Sequence, residues 1–261
     1  MGIRGTSSQL VAHILVIGGT DSSCGAGAYA DIETINGLGG TCSLCVTAVT
    51  VQGGPSHFKS HSVPPSIVQG QLESIEDQEF EGIKIGMLPN RETIEIVAKF
   101  LKRFSKPFVI LDPVLKSSSG ETLCAEDSKA FLKEKLFPLA TLITPNLLEA
   151  NSLTGETCYN FEGITKLAEK CLTFGSDAVL VKGGHFADVK CKDFLMFQNG
   201  ENKSFVHERI LNGTEVRGTG CRLASAIAYY FTINKSLSIS IEKSVDYLRN
   251  YISLKTKSLG I

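Results

Sequence analysis

The sequence predicts an α/β domain: a mainly parallel central sheet flanked by helices, with a small antiparallel edge hairpin. Three observations lead there. Short β-branched apolar runs alternate with stretches of helical spacing, and strands that are apolar on both faces belong in a parallel sheet covered by helices. Glycines, 25 of 261 residues, make up about 10% of the chain against about 7% in ordinary proteins, and they gather at the junctions between these runs. The composition, 43% apolar and 20% charged, is that of a globular chain long enough to bury a large core. Length alone fits two small domains or one α/β domain. With no internal repeat, low-complexity stretch or linker, the reading is a flexible segment over 1–12 and one domain over 13–261.

In chain order, His13 to Ile17 is a strand ending in Gly18-Gly19, and Ala28 to Leu38 is a helix with Ile32 and Ile35 on one face, stopped by Gly39-Gly40. Leu44 to Val51 is a β-branched strand, broken by Gln52-Gly53-Gly54-Pro55. Pro64-Pro65 opens a helix running to Ile75. Gly82 to Ile85 and Phe108 to Leu111 are strands, with a helix from Glu92 to Phe104 between them. A helix from Ala125 to Leu136 precedes the strand end Leu142-Ile143. Helices over Leu147 to Leu153 and Ile164 to Phe174 lead to the strand Ala178 to Val181. Asp193 to Phe197 and Ser204 to Ile210, separated by Asn199-Gly200, form the edge hairpin. Helices from Cys221 to Phe231 and Ile241 to Leu254 close the chain.

Charge and cysteine usage narrow the partners. Lys plus Arg number 26 against 27 Asp plus Glu, a formal net charge of -1, which lacks the basic excess that nucleic acid or an anionic membrane calls for. No apolar run approaches the ~18 residues of a membrane helix, and Met1 to His13 has no apolar core of signal-peptide type. Met1 to Thr6 matches the loose myristoylation pattern, but no polybasic second anchor follows, so a frayed terminus is the better reading. Eight irregularly spaced cysteines read as reduced thiols of a cytoplasmic protein. Cys42 and Cys45 form a lone C-x-x-C ahead of a strand-like run, with no second pair to complete a zinc site; they read as small buried hydrophobes.

Open α/β sheets bind ligands beyond the carboxyl ends of their strands. The residues that follow the strands here are Gly18-Gly19-Thr20-Asp21, Gln52, Gly86-Met87, Asp112, Thr144-Pro145-Asn146 and Lys182-Gly183-Gly184. Any one of these could be a turn residue. In succession along one sheet edge they mark a site for a charged ligand. Arg217-Gly218-Thr219-Gly220-Cys221, directly before an apolar helix, would aim free backbone N–H groups and the positive helix end at an anion. It matches neither a Walker A sequence nor a full Rossmann fingerprint, and a glycine-permitted tight turn is the other reading of the same segment.

Gly19-Thr20-Asp21-Ser22-Ser23-Cys24-Gly25-Ala26-Gly27, Lys84-Ile85-Gly86-Met87-Leu88, Leu111-Asp112-Pro113-Val114, Ile143-Thr144-Pro145-Asn146-Leu147-Leu148-Glu149-Ala150, Val181-Lys182-Gly183-Gly184-His185 and Gly218-Thr219-Gly220-Cys221 stand in this order over about residues 13–232. Together they resemble the hydroxymethylpyrimidine/phosphomethylpyrimidine kinases of thiamine biosynthesis, in the ribokinase-like superfamily and related to pyridoxal kinases. The resemblance implies ATP- and Mg²⁺-dependent phosphorylation of an aminopyrimidine hydroxymethyl group and then of its monophosphate, often by a homodimer. It implies that Gln52 hydrogen-bonds the pyrimidine, whose edge, like an amide, offers a donor and an acceptor. Gly19, Asp21 and Met87 would line the same pocket; core filler is the other reading of Met87. Asn146 and Glu149 would organise Mg²⁺ and phosphate, mostly through water, with Asp112 near the metal. Lys182 and Gly183 would face nucleotide phosphates, Lys182 as a point charge. His185 reads equally as a surface-loop imidazole.

Cys221 stands where sugar-kinase relatives carry a catalytic aspartate. A helix N-terminus together with Arg217 and Arg222 would lower its pKa and make it a base for the substrate hydroxyl, while the Gly218, Thr219, Gly220 and Cys221 amides stabilise charge in transfer. The alternatives are a pyridoxal or pyridoxine kinase and a non-catalytic pyrimidine-binding protein. The chain departs from the family pattern at Ser22 (usually Pro), Cys24 (Gly) and Arg217 (His). Lys-Ser-Gly becomes Ser118-Ser119-Gly120, with Lys116 two places earlier, and relatives continue past Ile261 with a short tail. These departures bear on catalytic efficiency and lid closure more than on fold.

Overall fold

The chain from His13–Asp21 (β1) to the last helix alternates as the hydrophobic pattern predicts. The computed structural model describes residues 11–52, 58–105, 107–117, 120–184 and 190–260. The myristoylation-like start, the Gly53–Pro55 breaker, Ser118-Ser119 and His185 lie outside them. After β1 come α1 (Gly27–Gly37), β2 (Thr41–Val51), β3 (Lys59–Ser62), α2 (Pro65–Glu73), β4 (Gly82–Ile85) and α3 (Arg91–Leu101). Then follow β5 (Val109–Leu111), α4 (Glu126–Lys135), β6 (Leu142–Ile143), α5 (Leu147–Thr154), α6 (Ile164–Leu172) and β7 (Ala178–Val181). The hairpin β8 (Lys190–Phe197) and β9 (Asn202–Glu208) leads to α7 (Thr219–Asn234) and α8 (Leu237–Leu259).

Among the described residues the strands form one sheet in the order β3-β2-β1-β4-β5-β6-β7-β8-β9. The run from β2 to β7 is parallel, so the carboxyl ends of its six strands share one edge. β7, β8 and β9 pair antiparallel, as the hairpin signal predicts. β3 adds a second antiparallel edge against β2, which the sequence reading missed: Lys59–Ser62 is short and polar, without the apolar alternation that reveals a strand. β1 runs four residues beyond its predicted end and takes up Gly18-Gly19, with a register shift against β2 at that pair. β2 begins three residues earlier than its β-branched run, so Cys42 and Cys45 lie within it rather than ahead of it. Both thiols are pushed up to about 12 by burial, and all eight cysteines are free.

Alternation along each strand splits the core into two layers. Leu15, Ile17, Ile83, Ile85 and Val181 face the layer under α2 to α6, whereas Ile14, Val16, Ile110 and Leu180 face α1, α7 and α8. Each fully buried Ile or Leu contributes about 1.5–3 kcal/mol, enough for the strand edges above to hold charged groups out of bulk water. Among the described residues no helix is long and apolar enough to cross a membrane.

Candidate active site

At the carboxyl edge of the parallel strands lies a cavity of about 1050 Å³. One end is walled by Gly18, Gly19 and Thr20 of β1, Met87 after β4, and Gln52 after β2. A Cβ on Gly19 would lie 2.8 Å from Met87 Sδ, so glycine lets these two walls meet. Met87 also packs with Ala48 and Leu123, so it is both core and wall.

The middle of the cavity is charged. Lys182 Nζ donates to Asp112 Oδ1 at 2.7 Å, and Thr144 Oγ1 donates to the same oxygen at 3.1 Å. Parallel pairing continues past β6 and β7 as a single bridge between Asn146 and Lys182, which sets the two residues side by side at the sheet edge. Asn146 caps α5: its side-chain oxygen accepts from the Glu149 N–H at 2.9 Å, and the Asn146 N–H donates to Glu149 Oε2 at 2.7 Å. The Asn-x-x-Glu pair is thus a capping box, and its carboxylate still faces the cavity. Burial pushes the Glu149 carboxyl up to about 7 against the pull of Lys182, with nearby Asp112 adding to the rise. Lys182 is held above its usual value by Asp112 and Glu149, which outweigh its own burial.

The glycine turn before α7 closes the third side. Gly218 has φ +71°, and a Cβ there would lie 2.2 Å from the Gly25 oxygen, so no other residue fits between the two loops. A Cβ on Gly220 would lie 3.2 Å from Lys182 Nζ and 3.6 Å from Asp112 Oδ2, which sets the start of α7 beside that ion pair. First-turn N–H groups of a helix have no intrahelical partner, so an anion fits here.

Cys221 lines the cavity, but its thiol is not lowered as expected. Burial pushes it up to about 11, and Asp31 and Asp112 oppose the favourable charge of Lys84. The two arginines expected to help are committed elsewhere. Buried Arg222 reaches Glu33 Oε2 at 2.5 Å and lies 4.1 Å from the centre of the Tyr251 ring. Arg217 donates to Ser23 Oγ at 2.6 Å and to Gln52 Oε1, and pairs with Asp21 Oδ2 at 3.1 Å.

Of the residues singled out in the sequence, Gly19, Gln52, Met87, Asp112, Asn146, Glu149, Lys182, Gly218, Thr219, Gly220 and Cys221 all border this cavity. Asp21 and Gly183 do not. Asp21 is buried and holds Ser23 and Arg217, while the Gly183 N–H is taken by buried Asp193 at 2.9 Å. Sequence reasoning missed the ion pair on the cavity floor. Lys84 Nζ and Asp31 Oδ2 are 2.7 Å apart and both 1% exposed, and Ser225 Oγ donates to Asp31 at 2.8 Å. Leaving either charge buried alone would cost about 3–5 kcal/mol, so the pair forms as a unit. A lysine within the apolar β4 run was the available signal.

A parallel sheet whose carboxyl edge joins an apolar wall, a lysine–aspartate pair and a glycine-turned helix start defines a ribokinase-like small-molecule phosphotransferase. Comparison with known proteins takes this further. The model of the phosphomethylpyrimidine kinase family matches residues 21–260. A hydroxymethylpyrimidine/phosphomethylpyrimidine kinase of Aquifex aeolicus is 36% identical over 249 residues, 94% of this chain and 96% of that protein. The crystal structure of a phosphomethylpyrimidine kinase from Clostridium difficile superposes with a TM-score of 0.80 at 31% identity, over 92% of this chain and 99% of that one. A Staphylococcus aureus pyridoxal kinase in complex with pyridoxal superposes at 0.84 with 24% identity, over 93% of this chain and 88% of that one, and shares the fold. The chain belongs to the phosphomethylpyrimidine kinase family.

Proposed function

We propose that this protein transfers the γ-phosphoryl group of ATP to 4-amino-5-hydroxymethyl-2-methylpyrimidine and then to its monophosphate, in thiamine biosynthesis or salvage. One observation carries this reading: the Gly19–Gln52–Met87 wall and the Lys182–Asp112–Gly220 cluster border a single cavity. An aromatic ring held at the first would present its hydroxymethyl group to a phosphoryl group held at the second. Gln52 offers the pyrimidine edge its amide, and Met87 and Gly19 pack the ring faces. Asp21 acts from behind, by holding the loop that carries Ser23. Lys182 and Asn146 meet the nucleotide phosphates; Gly183, tied to Asp193, fixes the strand end from which Lys182 reaches them.

Asp112 and Glu149 supply the hard oxygen donors that Mg²⁺ prefers, and among the described residues no set of three or more His, Cys, Asp or Glu is clustered for a metal. That donor set suits an ion that keeps several waters, and Glu149 is held partly neutral by burial until a cation favours its charged form. When bound, Mg²⁺ would neutralise charge on the transferred group. The amides of Gly218, Thr219, Gly220 and Cys221 cradle that group in both transfers. Cys221, whose thiol burial pushes up to about 11, takes the hydroxyl proton only in its thiolate form, as the new oxygen–phosphorus bond forms and the bond from the γ-phosphorus to ADP breaks. The second transfer starts from a phosphate monoester whose second pKa is about 6, and it needs no base at pH 7. Cys221→Ala is therefore expected to slow the first transfer by about 10²–10⁴-fold and the second far less.

The reading extends to one kinase domain over 13–261, acting as a cytoplasmic homodimer on small molecules, with neither nucleic acid nor membrane as partner. The pyridoxal alternative is weaker, since likeness to the pyridoxal kinase at 24% identity supports the fold alone. A binding protein without catalysis is disfavoured by the assembled Asp112, Glu149, Lys182 and Gly220. The test is kcat/KM with ATP for hydroxymethylpyrimidine and for pyridoxal. Higher efficiency with the pyrimidine is expected. A preference for pyridoxal, or no ADP release with either, overturns the reading.

A further inference from the structure

Ser22 and Arg217, two of the departures from the family pattern, meet at Gln52. Ser22 Oγ bridges the Gln52 backbone, accepting from its N–H at 2.9 Å and donating to its carbonyl at 3.1 Å. Arg217 reaches Ser23, Asp21 and the Gln52 side chain together. The Gln52 carboxamide is thereby oriented from both ends. A guanidinium only donates, so the group facing Arg217 is the oxygen. At the other end Gln52 Nε2 donates to Thr50 Oγ1 at 2.9 Å, and that hydroxyl spends its hydrogen on the Thr20 carbonyl at 2.7 Å. Neither contact survives a flip of the amide. Among the described residues, this leaves one Gln52 N–H and one oxygen lone pair, in a fixed order, for a ligand.

We propose that Arg217 is a specificity-determining positioning residue: by locking the Gln52 carboxamide in one orientation it selects rings whose donor and acceptor run in the complementary order. This rests on the reading that Gln52 meets the substrate ring. A free glutamine side chain loses rotamer freedom when ordered, so part of the lock is set before substrate arrives. The aminopyrimidine edge, an exocyclic amine beside a ring nitrogen, fits the fixed order. An analogue lacking the amine cannot satisfy the oxygen.

The experiment compares wild type, Arg217→Met, Asp21→Asn/Arg217→Met and Gln52→Leu in kcat and KM for hydroxymethylpyrimidine, its desamino analogue and ATP. Arg217→Met is expected to raise the pyrimidine KM about five- to tenfold with kcat and ATP KM little changed, and to shrink the preference over the desamino analogue similarly. A purely structural role would not move that preference. The double variant removes the Asp21 charge left buried by loss of Arg217, and it decides by the same two readings if the single variant fails to fold. An unchanged preference in the folded arginine variant, with Gln52→Leu still raising the pyrimidine KM, overturns the proposal alone. An unchanged pyrimidine KM in Gln52→Leu overturns both the proposal and the reading beneath it.

Discussion

Glu149→Gln is expected to stabilise the ligand-free protein at alkaline pH while impairing its use of Mg²⁺. In the folded chain the Glu149 carboxyl is raised from 4.5 to about 7 by burial, with Asp112 adding and Lys182 opposing. An acid raised by folding binds more protons in the folded state, so its contribution to stability is full below the unfolded value and is lost as pH rises to the folded one. The window here is pH 4.5 to 7. That rise, at about 1.36 kcal/mol per pH unit, amounts to about 3 kcal/mol and is already net of the attraction to Lys182, so the variant gains about 3 kcal/mol. Glutamine can still accept from the Asn146 N–H, so the capping box survives the change. Buried acids out of reach of Glu149 are common to both proteins and cancel in the difference. The assay is urea unfolding without nucleotide or metal at pH 5, 6, 7 and 8. The variant should exceed wild type by no more than about 1 kcal/mol at pH 5 and by nearly the full amount at pH 8. An advantage that does not grow over that range, or a variant less stable at pH 8, refutes the argument that this carboxylate is strained by burial.

Three other outcomes are expected. Gln52→Leu should raise the pyrimidine KM with ATP affinity nearly unchanged, because a stranded polar edge costs about 1–3 kcal/mol, up to ~100-fold; steady-state kinetics on both substrates reads this. Lys182→Ala should weaken nucleotide use and leave Asp112, 2% exposed, without its cation; isothermal titration with an ATP analogue and a Tm comparison would each register the loss, and wild-type values in both would misplace the phosphate site. Cys24 has φ +57°, so Cys24→Gly should relieve about 1 kcal/mol of left-handed strain, visible as a higher urea midpoint.

The fold was legible wherever burial wrote a period into the chain. β4 and β7 fall at their predicted ends, and all eight of their residues are buried. β3 was invisible for the converse reason: an edge strand held by backbone pairing to β2 needs no apolar side chains. The site was legible as an edge of the sheet, since β2, β5, β6 and β7 are followed by Gln52, Asp112, Asn146 and Lys182, which border the same cavity. What the sequence hid was which partner each charge would choose. Arg217 and Arg222 adjoin Cys221 in the chain, yet a helix start turns successive side chains in different directions. One arginine went to Asp21 and Gln52, and the other to Glu33. Nearness in sequence therefore predicted an acidic thiol where packing made a weak one.

That reversal sharpens the difference between the two successive transfers. A thiol at about 11 is almost wholly protonated at pH 7, so Cys221 cannot wait as a thiolate for the hydroxyl to arrive. Its use as a base depends on charges that come with the substrates and on the ammonium of Lys84 beneath it, whose field is partly cancelled by Asp31. The amide cradle has no such dependence, because its N–H groups are fixed by the backbone of α7 and by the glycine contact between Gly218 and Gly25. On the proposed mechanism, one half of the machinery is set by the fold alone and would serve both transfers. The other half is conditional on charge and matters to the transfer whose nucleophile still carries a proton. A site built this way can phosphorylate an alcohol and a phosphate monoester in turn without rearranging, since the monoester simply bypasses the conditional group.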